Sequence, residues 1–317
     1  MEAINMILTV TLNPSIDVAY PLEHLAIDTV NRVKNVRKTA GGKGLNVSRV
    51  IHQLHHDILA TGFIGGYFGQ WLQHQLDIEG IQHEFLSIHA ETRSSIAILH
   101  DQGNQTEILE AGPFITKPDA DKFLMHFDQL LTQADSVTIS GSLPQGLPET
   151  YYTLLIAHAQ HQNVPVLLDT SGATLRHALE APLKPKLIKP NDEELGGLLK
   201  HHVDKTDFNA LKQDLQAPIF SDVEWIVVSL GAQGAFAKHG DKFYHAVIPK
   251  INVVNPVGSG DATLAGLAIS IHDNQSDETI LKTAMTTGML NTMQAETGFV
   301  DPAQFQPYFD QVTIEPY

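Results

Sequence analysis

The feature that most constrains the fold is a regular alternation of short apolar stretches with amphipathic ones from residue 118 onward. Buried strands are indicated by SVTISG (136–141), VPVLLDTSG (164–172) and PKLIKPN (185–191), and a helix is indicated by residues 149–162. This alternation predicts an α/β fold, in which a mostly parallel sheet carries helices on both faces. Because such sheets bind ligands beyond the carboxyl ends of their strands, the residues that follow each strand are the functional candidates.

The amino-terminal third of the chain interrupts this alternation. Residues 6–12 and 57–66 are typical of further buried strands, but residues 13–40 and 83–111 contain short strands joined by turns. We therefore predict that 13–40 and 83–111 form a small second sheet that lies over the core. The predicted core then consists of residues 1–12, 41–82 and 112–317.

The charge composition limits which classes of binding partner are expected. Among 317 residues, Lys and Arg total 20 against 36 Asp and Glu, and the formal net charge is -16. Such acidity disfavours nucleic acid and anionic membranes, although a few local cations can still bind a small anion. The chain has no cysteine, and its 17 histidines lack metal-ligand spacing, so most should lie on the surface. The first residues lack signal-peptide features, and no apolar run approaches the ~20 residues of a membrane span. These features predict a cytoplasmic protein.

Small residues and a carboxylate separate two apolar runs in INVVNPVGSGDATLAGLAISI (251–271). Gly258 and Gly260 permit backbone conformations closed to other residues, and Asp261 stands where a helix would begin. The free N–H groups of a helix start attract anions. Asp261 is therefore either an N-terminal helix cap or a catalytic base beside an anion-binding turn, and this stretch leaves both interpretations open.

Two other glycine-rich stretches match known phosphate-binding motifs only in part. AGGKGLN (40–46) opens a helix, with Lys43 as a charge and Asn46 as a partner for a hydroxyl, but it lacks the Walker A pattern. A plain turn with a surface lysine is the structural alternative. GFIGGYFG (62–69) has Ile64 at a required glycine position and does not follow the first strand, which excludes a Rossmann dehydrogenase.

Polar residues follow several other predicted strands. Asp17 can accept hydrogen bonds from two sugar hydroxyls, although NPSID (13–17) also fits an ordinary turn. Arg93 suits phosphate through its planar guanidinium, although a single Arg is usually a surface residue. Ser140 ends a strand with a small hydroxyl side chain.

A further group of polar residues follows the strand that ends near 188. Lys189 can neutralise phosphate charge, and Asn191 and Glu194 project from one side of a helix's first turn as oxygen donors for Mg²⁺, often through water. The structural alternative is a helix start enriched in acidic residues. The turn SLGAQG (229–234) can let a nucleotide approach the backbone. Cations, glycines and carboxylates at successive strand ends together indicate a functional site.

The chain resembles the ribokinase-like carbohydrate kinases, the phosphofructokinase B group, over essentially its whole length. The resemblance rests on GGKGLNVSRV (41–50) and on the highly specific NPVGSGDATLAGLA (255–268). Stretches such as VTLNPSIDVAYPLEHLAIDTVNRV (10–33) and QTEILEAGP (105–113) look like the tagatose-6-phosphate kinases of the lactose pathway, whose nearest relatives are the 1-phosphofructokinases. The resemblance implies a three-layer core, a β-sheet lid that often forms a dimer interface, and ATP-dependent phosphorylation of a sugar-phosphate hydroxyl.

The resemblance also implies a role for each candidate residue. The base that takes the hydroxyl proton would be Asp261, and the anion hole would be formed by the backbone of Gly258, Ser259 and Gly260. Sugar hydroxyls would be held by Asp17, Gly42 and Asn46, and the existing phosphate by Lys43 and Arg93, with Arg32 and Ser140 nearby. ATP phosphates and Mg²⁺ would be bound by Lys189, Asn191 and Glu194. The nucleotide would lie near Ser229, Gly231, Gly234 and Asn291.

Two alternatives accompany this interpretation. The first is a 1-phosphofructokinase, which phosphorylates fructose 1-phosphate. The second is a catalytically silent sugar-phosphate sensor on the same fold, against which the intact GSGD stretch (258–261) argues, since a sensor need not keep the base. The expected partners are a sugar phosphate, ATP with Mg²⁺, and a second copy of the chain bound through the lid.

Overall fold

The computed structural model describes residues 6–101 and 103–317, so residues 1–5 of the predicted core and Gln102 of the predicted small sheet lie outside the described residues. The strands are β1 (Ile7–Thr11), β2 (Ser15–Pro21), β3 (Arg37–Gly41), β4 (Ile58–Gly65), β5 (Leu86–Ile88), β6 (Arg93–His100), β7 (Asn104–Leu109), β8 (Ser136–Ser140), β9 (Val166–Asp169), β10 (Leu187–Ile188), β11 (Trp225–Ser229), β12 (Ala235–His239), β13 (Lys242–Val247) and β14 (Thr313–Pro316). The α-helices are α1 (Lys43–Gln53), α2 (Gly66–Glu79), α3 (Lys117–Leu131), α4 (Tyr151–His161), α5 (Gly172–Glu180), α6 (Asp192–Leu199), α7 (Phe208–Asp214), α8 (Ser259–His272), α9 (Asp277–Thr292) and α10 (Phe305–Phe309). Among these described helices, none is both long enough and apolar enough to cross a membrane.

The larger of two sheets has ten strands in the order β14-β13-β12-β11-β10-β9-β8-β1-β4-β5. Every neighbouring pair from β11 to β5 is parallel, whereas β12, β13 and β14 add antiparallel partners at one end. The predicted mostly parallel sheet is therefore confirmed. Because parallel strands end at one common edge, the residues that follow β1, β8, β9, β10 and β11 meet there.

Helices pack on both faces of this sheet, so its strands are buried on both sides. In β1, Ile7 packs into one hydrophobic core while Leu8 and Val10 pack into the other, as alternation along a strand requires. The first core is completed by α1, α2, α8 and α9, and the second by α3 to α7. This is the predicted three-layer ribokinase-like core.

Close packing of α8 against α9 helps to fix the position at which α8 begins. A Cβ at Gly266 would lie 2.5 Å from Thr287 Oγ1 and 2.9 Å from Ala284 Cα, and a Cβ at Gly288 would lie 2.5 Å from Thr263 Oγ1. Side chains do not approach one another so closely, so only glycine fits at these two contacts. The two helices can therefore lie nearly in backbone contact, which anchors α8 beside the sheet.

The smaller sheet has four strands in the order β3-β2-β6-β7. Its register places two rows of side chains on opposite faces, since neighbouring residues in a strand alternate. One row consists of Asp17, Ser95 and Leu109, and the other of Val18, Ile96 and Ile108. The first row faces the cavity described below. The second row is apolar, and Ile108 is 55% exposed.

One strand that we assigned to the small sheet belongs to the large one. β5 lies within 83–111 but pairs in parallel with β4, placing Leu86 opposite Phe63. The prediction is wrong because pairing with the edge of β4 buries Ile88 in the core, and this burial stabilises the strand there.

Candidate active site

Two adjoining cavities lie at the carboxyl edge of the large sheet. The larger has a volume of about 1100 Å³ and extends from the small sheet to the start of α8, and the smaller has a volume of about 510 Å³ and includes Ser140. Both cavities are lined by Gly42, Lys43 and Arg93. The other predicted site residues that line the larger cavity are Asp17, Asn46, Lys189, Asn191, Glu194, Ser229, Gly231, Gly234, Gly258, Ser259, Gly260 and Asp261.

The start of α8 projects into the larger cavity without a side-chain cap. Its N-cap is Gly258, which has a left-handed backbone with φ of 80°, and no side chain bonds to the first N–H groups of the helix. A left-handed conformation at this position strongly favours glycine. The uncapped N–H groups and the helix dipole together form an anion-binding site. The interpretation of Asp261 as a helix cap is therefore not supported.

Asp261 instead faces across the fold to α1. Its side chain is 6% exposed, and its Oδ2 accepts a hydrogen bond of 2.8 Å from Asn46 Nδ2. Burial raises the pKa of Asp261 to about 6, and the nearby Asp169 carboxylate adds to this effect. The pKa is lowered in turn by the charge of Lys43, by the hydrogen bond from Asn46 and by the charge of Lys189. The result is a buried carboxylate that titrates close to neutral pH.

Asp169, which the sequence analysis missed, organises the two lysines of the site. It ends β9 and is 2% exposed. Its Oδ1 lies 3.6 Å from Lys43 Nζ and its Oδ2 lies 3.5 Å from Lys189 Nζ. Asp169 is the main reason that the pKa of Lys43 is raised, so Lys43 stays protonated. The rule that selected other strand-end residues also applies to VPVLLDTSG (164–172) and would have found Asp169.

Lys189 holds its ammonium group beside the start of α8. The residue is 5% exposed, and a Cβ at Gly260 would lie 3.2 Å from Lys189 Nζ. A buried ammonium needs charged or polar partners, and Asp169 supplies one on its other side. The glycine at 260 thus leaves room for a cation next to the anion-binding helix end.

Asn191 and Glu194 form the structural arrangement that we considered as the alternative to a metal site. Asn191 Oδ1 accepts from the backbone N–H of Glu194 at 2.7 Å, and Glu194 Oε2 accepts from the backbone N–H of Asn191 at 3.0 Å. This reciprocal pair is a capping box for α6. Both residues nevertheless line the larger cavity, and a carboxylate has a second oxygen available.

Asp17 lies against the glycine pair that opens α1. A Cβ at Gly41 would lie within 2.2 Å of the carboxylate of Asp17, so the side chain occupies space that only glycine leaves free. Ser15 Oγ donates to Asp17 Oδ1 at 2.6 Å. Burial raises the pKa of Asp17, whereas the bond from Ser15 and the charge of Arg93 lower it. Asp17 therefore presents a partly buried acceptor to the cavity.

The smaller cavity contains buried polar atoms without partners. Thr11 Oγ1, Asn13 Oδ1 and Ser140 Oγ make no hydrogen bond within the described residues, and all three residues line this cavity. Arg93 closes it, donating from Nε to Asn13 O at 3.2 Å and from Nη1 to Glu110 O at 3.0 Å. Because unsatisfied buried polar atoms are costly, their clustering here indicates a site for a polar ligand.

The far end of the larger cavity is formed by turns and by α9. Ser229 ends β11, and Gly231 and Gly234 belong to the turn between β11 and β12, where Gly234 has a φ of 80°. A Cβ at Gly234 would lie 1.9 Å from Ala246 O, so glycine is required there. Met289 of α9 gives this end an apolar wall suited to a flat ring.

Two predicted site residues do not line either cavity. Arg32 is exposed in the loop between β2 and β3. Asn291 is fully buried, where its Nδ2 donates to Val257 O at 2.9 Å and its Oδ1 accepts from Gly298 N at 2.7 Å. Asn291 thus joins the turn before α8 to the loop at 298, and the expected contact with a nucleotide is not supported.

The geometry suits the transfer of an anionic group to a hydroxyl. A buried carboxylate can accept a proton, while lysines and an uncapped helix start can stabilise negative charge in transit. The described residues include no cluster of three or more His, Cys, Asp or Glu that could hold a metal alone.

Comparison with known proteins agrees with this geometry. A structure of phosphofructokinase-2 from Escherichia coli in complex with fructose-6-phosphate matches with a TM-score of 0.86 and 25% identity, covering 96% of this chain and 98% of that one. A possible 1-phosphofructokinase from Thermotoga maritima matches with a TM-score of 0.87 and 26% identity over 98% and 99% of the two chains. A presumed phosphofructokinase from Staphylococcus aureus is 30% identical, with a TM-score of 0.84 over 98% and 99%. The profile of the pfkB family carbohydrate kinases matches residues 10–304, and the chain therefore belongs to that family of phosphotransferases.

Proposed function

We propose that this carbohydrate kinase phosphorylates D-tagatose 6-phosphate to D-tagatose 1,6-bisphosphate in the breakdown of lactose and galactose. The observation that carries the kinase chemistry is the buried Asp261 at the uncapped start of α8, with Lys43 and Lys189 paired to Asp169 in the same cavity. Sugar kinases of this family use ATP and typically Mg²⁺. ATP supplies the phosphoryl group, and Mg²⁺ offsets its charge.

Asp261 is the proposed base that accepts the proton of the attacking hydroxyl. A base works best when its pKa lies near the working pH, and burial brings the pKa of Asp261 to about 6. The backbone of Gly258, Ser259 and Gly260 is proposed to stabilise negative charge on the transferred group, and the N–H of Ser259 also donates to Pro256 O at 3.3 Å. Phosphoryl transfer depends on such positioning and charge stabilisation more than on covalent chemistry.

The sugar phosphate is proposed to lie between the two cavities. Asp17, Gly42 and Asn46 hold its hydroxyls in the larger cavity. Arg93 uses two of its five N–H donors on backbone carbonyls and retains the others for a phosphate. Ser140, with its unpartnered Oγ, completes the phosphate site in the smaller cavity, and Lys43 lines both cavities.

The nucleotide is proposed to occupy the remaining part of the larger cavity. Lys189 neutralises phosphate charge, while Asn191 and Glu194 face the Mg²⁺ through water. The turn 229–234 lets the nucleotide approach the backbone closely, because its glycines carry no side chain. In this proposal the base, the cations and the helix start lie between donor and acceptor.

The small sheet is proposed to act as a lid and as the contact surface of a homodimer. Its row of Asp17, Ser95 and Leu109 faces the cavity, so closure would exclude water from the reaction. Its other row leaves Ile108 exposed, and a second copy of the chain would bury this apolar face. A monomeric mass in light scattering at assay concentration would argue against the dimer.

The choice of tagatose rests on resemblance of sequence stretches rather than on a residue that distinguishes the two sugars. Tagatose 6-phosphate and fructose 6-phosphate differ in configuration at one hydroxyl. The second candidate is 1-phosphofructokinase, favoured by the 26% identity to the Thermotoga maritima protein. A silent sensor is less consistent with a buried Asp261 beside two lysines.

The decisive experiment compares kcat/KM for tagatose 6-phosphate, fructose 6-phosphate, fructose 1-phosphate and unphosphorylated tagatose, by coupled release of ADP. We expect tagatose 6-phosphate to be the best substrate and the unphosphorylated sugar to be far poorer. Arg93→Ala should lower kcat/KM for the phosphates by about tenfold to over a hundredfold, the usual effect of losing a charge-assisted contact. The loss should shrink for unphosphorylated tagatose, whose phosphate is already absent.

Arg37→Ala is the matched control, because Arg37 is exposed and lines neither cavity. It should leave kcat/KM close to that of the wild type. A strong preference for fructose 1-phosphate would replace the proposal with 1-phosphofructokinase. Absence of turnover with every sugar phosphate, above a control with ATP alone, would favour the sensor.

A further inference from the structure

Arg49 of α1 is a buried cation that joins three parts of the structure. It is 8% exposed, and its Nε donates to Glu79 Oε2 at the end of α2 at 2.8 Å. Its Nη2 donates to the carbonyl oxygen of Ala40 in β3 at 2.7 Å. Its Nη1 donates to Asn46 Oδ1, one turn earlier in α1, at 3.2 Å. Neither cavity is lined by Arg49, so it has no direct access to a ligand.

The contact with Asn46 determines which way the amide of Asn46 points. A guanidinium group only donates hydrogen bonds, so the amide oxygen must be the atom that faces Arg49. The amide nitrogen then faces Asp261 and donates to Oδ2 at 2.8 Å. If the amide turned over, its oxygen would meet the carboxylate oxygen of Asp261, and two acceptors would face each other. The orientation that supports Asp261 is therefore favoured from both sides, by Arg49 at the amide oxygen and by Asp261 at the amide nitrogen.

We infer that Arg49 is a positioning residue that acts through Asn46 to hold the carboxylate of Asp261 in place for reaction. The inference rests on the proposed function, because it takes Asp261 as the base. Two simpler roles compete with it: the ion pair with Glu79 stabilises the fold, and the bond to Ala40 ties the small sheet to the core. Only the proposed role requires the hydrogen bond from Arg49 to Asn46.

A double-mutant cycle separates these roles, using Arg49→Lys, Asn46→Ala and the double variant. Lys keeps the positive charge but cannot reproduce the three-way contacts of the guanidinium group. Arg49→Lys should lower kcat by about 3- to 10-fold, the usual effect of one hydrogen bond, with KM for ATP unchanged. In the Asn46→Ala background the same change should have no further effect on kcat. An equal loss in both backgrounds would overturn the inference.

The pH dependence of kcat supplies a second readout. Without the N–H from Asn46, the acid limb of the Arg49→Lys profile should move to higher pH, because the ionised Asp261 loses a donor. Lys43, Lys189 and Asp169 also face Asp261 and are unchanged in this variant. An acid limb that stays in place while kcat falls would contradict a role through Asn46.

Glu79→Gln is the matched control, because it weakens the ion pair and leaves the bond to Asn46 intact. It should lower thermal stability without moving kcat or the acid limb. Arg49→Gln serves as the second variant if Arg49→Lys does not fold, and failure of both to fold would assign Arg49 to stability and refute the inference. A wild type inactive with every ketohexose phosphate would instead refute the proposed function.

Discussion

Replacing Asp261 by Asn should make the protein more stable and nearly inactive. Burial raises the pKa of Asp261 from its ordinary value of 3.8 to about 6. Each unit corresponds to about 1.4 kcal/mol, so the ionised carboxylate destabilises the folded state by about 3 kcal/mol. Asn46 can keep its bond to position 261, because an amide oxygen also accepts a hydrogen bond.

The gain in stability should depend on pH in a definite direction. The folded chain retains the proton of Asp261 up to about pH 6, whereas the unfolded chain releases it near pH 4. Between these values the folded state binds more protons, so a rise in pH favours unfolding. The advantage of Asp261→Asn should therefore be small below about pH 4, grow between about pH 4 and 6, and stay constant above.

Thermal unfolding of both proteins from pH 4.5 to 8 measures this difference. For a chain of this length, 3 kcal/mol raises Tm by on the order of 5 °C. The same variant should lose ~10²- to 10⁴-fold in kcat, as expected when a positioned base is removed. The exposed Asp241→Asn is the matched control and should change neither quantity. Equal Tm values for Asp261→Asn and the wild type at pH 8 would refute the buried, ionised carboxylate.

Three other outcomes are expected. In the wild type, kcat should rise with pH through about 6 and then level off, because burial raises the pKa of the base Asp261 to about 6. A flat profile from pH 5 to 8 would contradict this assignment. Glu194→Gln should raise the Mg²⁺ concentration that gives half-maximal rate. It should cost little stability, because Gln can keep the capping box. An unchanged Mg²⁺ titration would leave Glu194 as a helix cap alone. Gly266→Ala should destabilise the fold by about 1–3 kcal/mol, because the added Cβ would meet α9. The control Gly197→Ala has open space around the added Cβ in α6 and should stabilise the fold by about 0.5–1 kcal/mol. Denaturant unfolding measures both free energies.

Prediction from sequence succeeded where a feature is encoded within one short window. The parallel core follows from local periodicity, and the residues that end its strands meet at one edge whatever their partners are. Lys189 was found in this way, whereas Lys43 and Asp261 were found at glycine-rich helix starts, and all three line one cavity. Asp169 was missed although the same rule applies to it.

The sequence was a poor guide where the role of a strand or side chain depends on which distant segment it contacts. β5 resembled the exposed strands around it, but the edge of β4 and a core that buries Ile88 place it in the large sheet. The resemblance implied that Asn291 lies near the nucleotide, and its polar atoms bind the turn at 257 and the loop at 298. Periodicity cannot show which of two sheets a strand joins, or what a polar side chain meets.

The sequence by itself determined the fold class, the strand-end position of the site and most of its residue types, because these depend on hydrophobic periodicity and on turn chemistry over a few residues. Only the tertiary structure decided that Asp261 faces Asn46, which is 215 residues away, rather than capping its own helix. It likewise decided that one carboxylate, Asp169, lies between two lysines. The same Asp at a helix start can be a cap or a buried acid, and the deciding factors, desolvation and the charges around it, come from chain segments brought together only by folding.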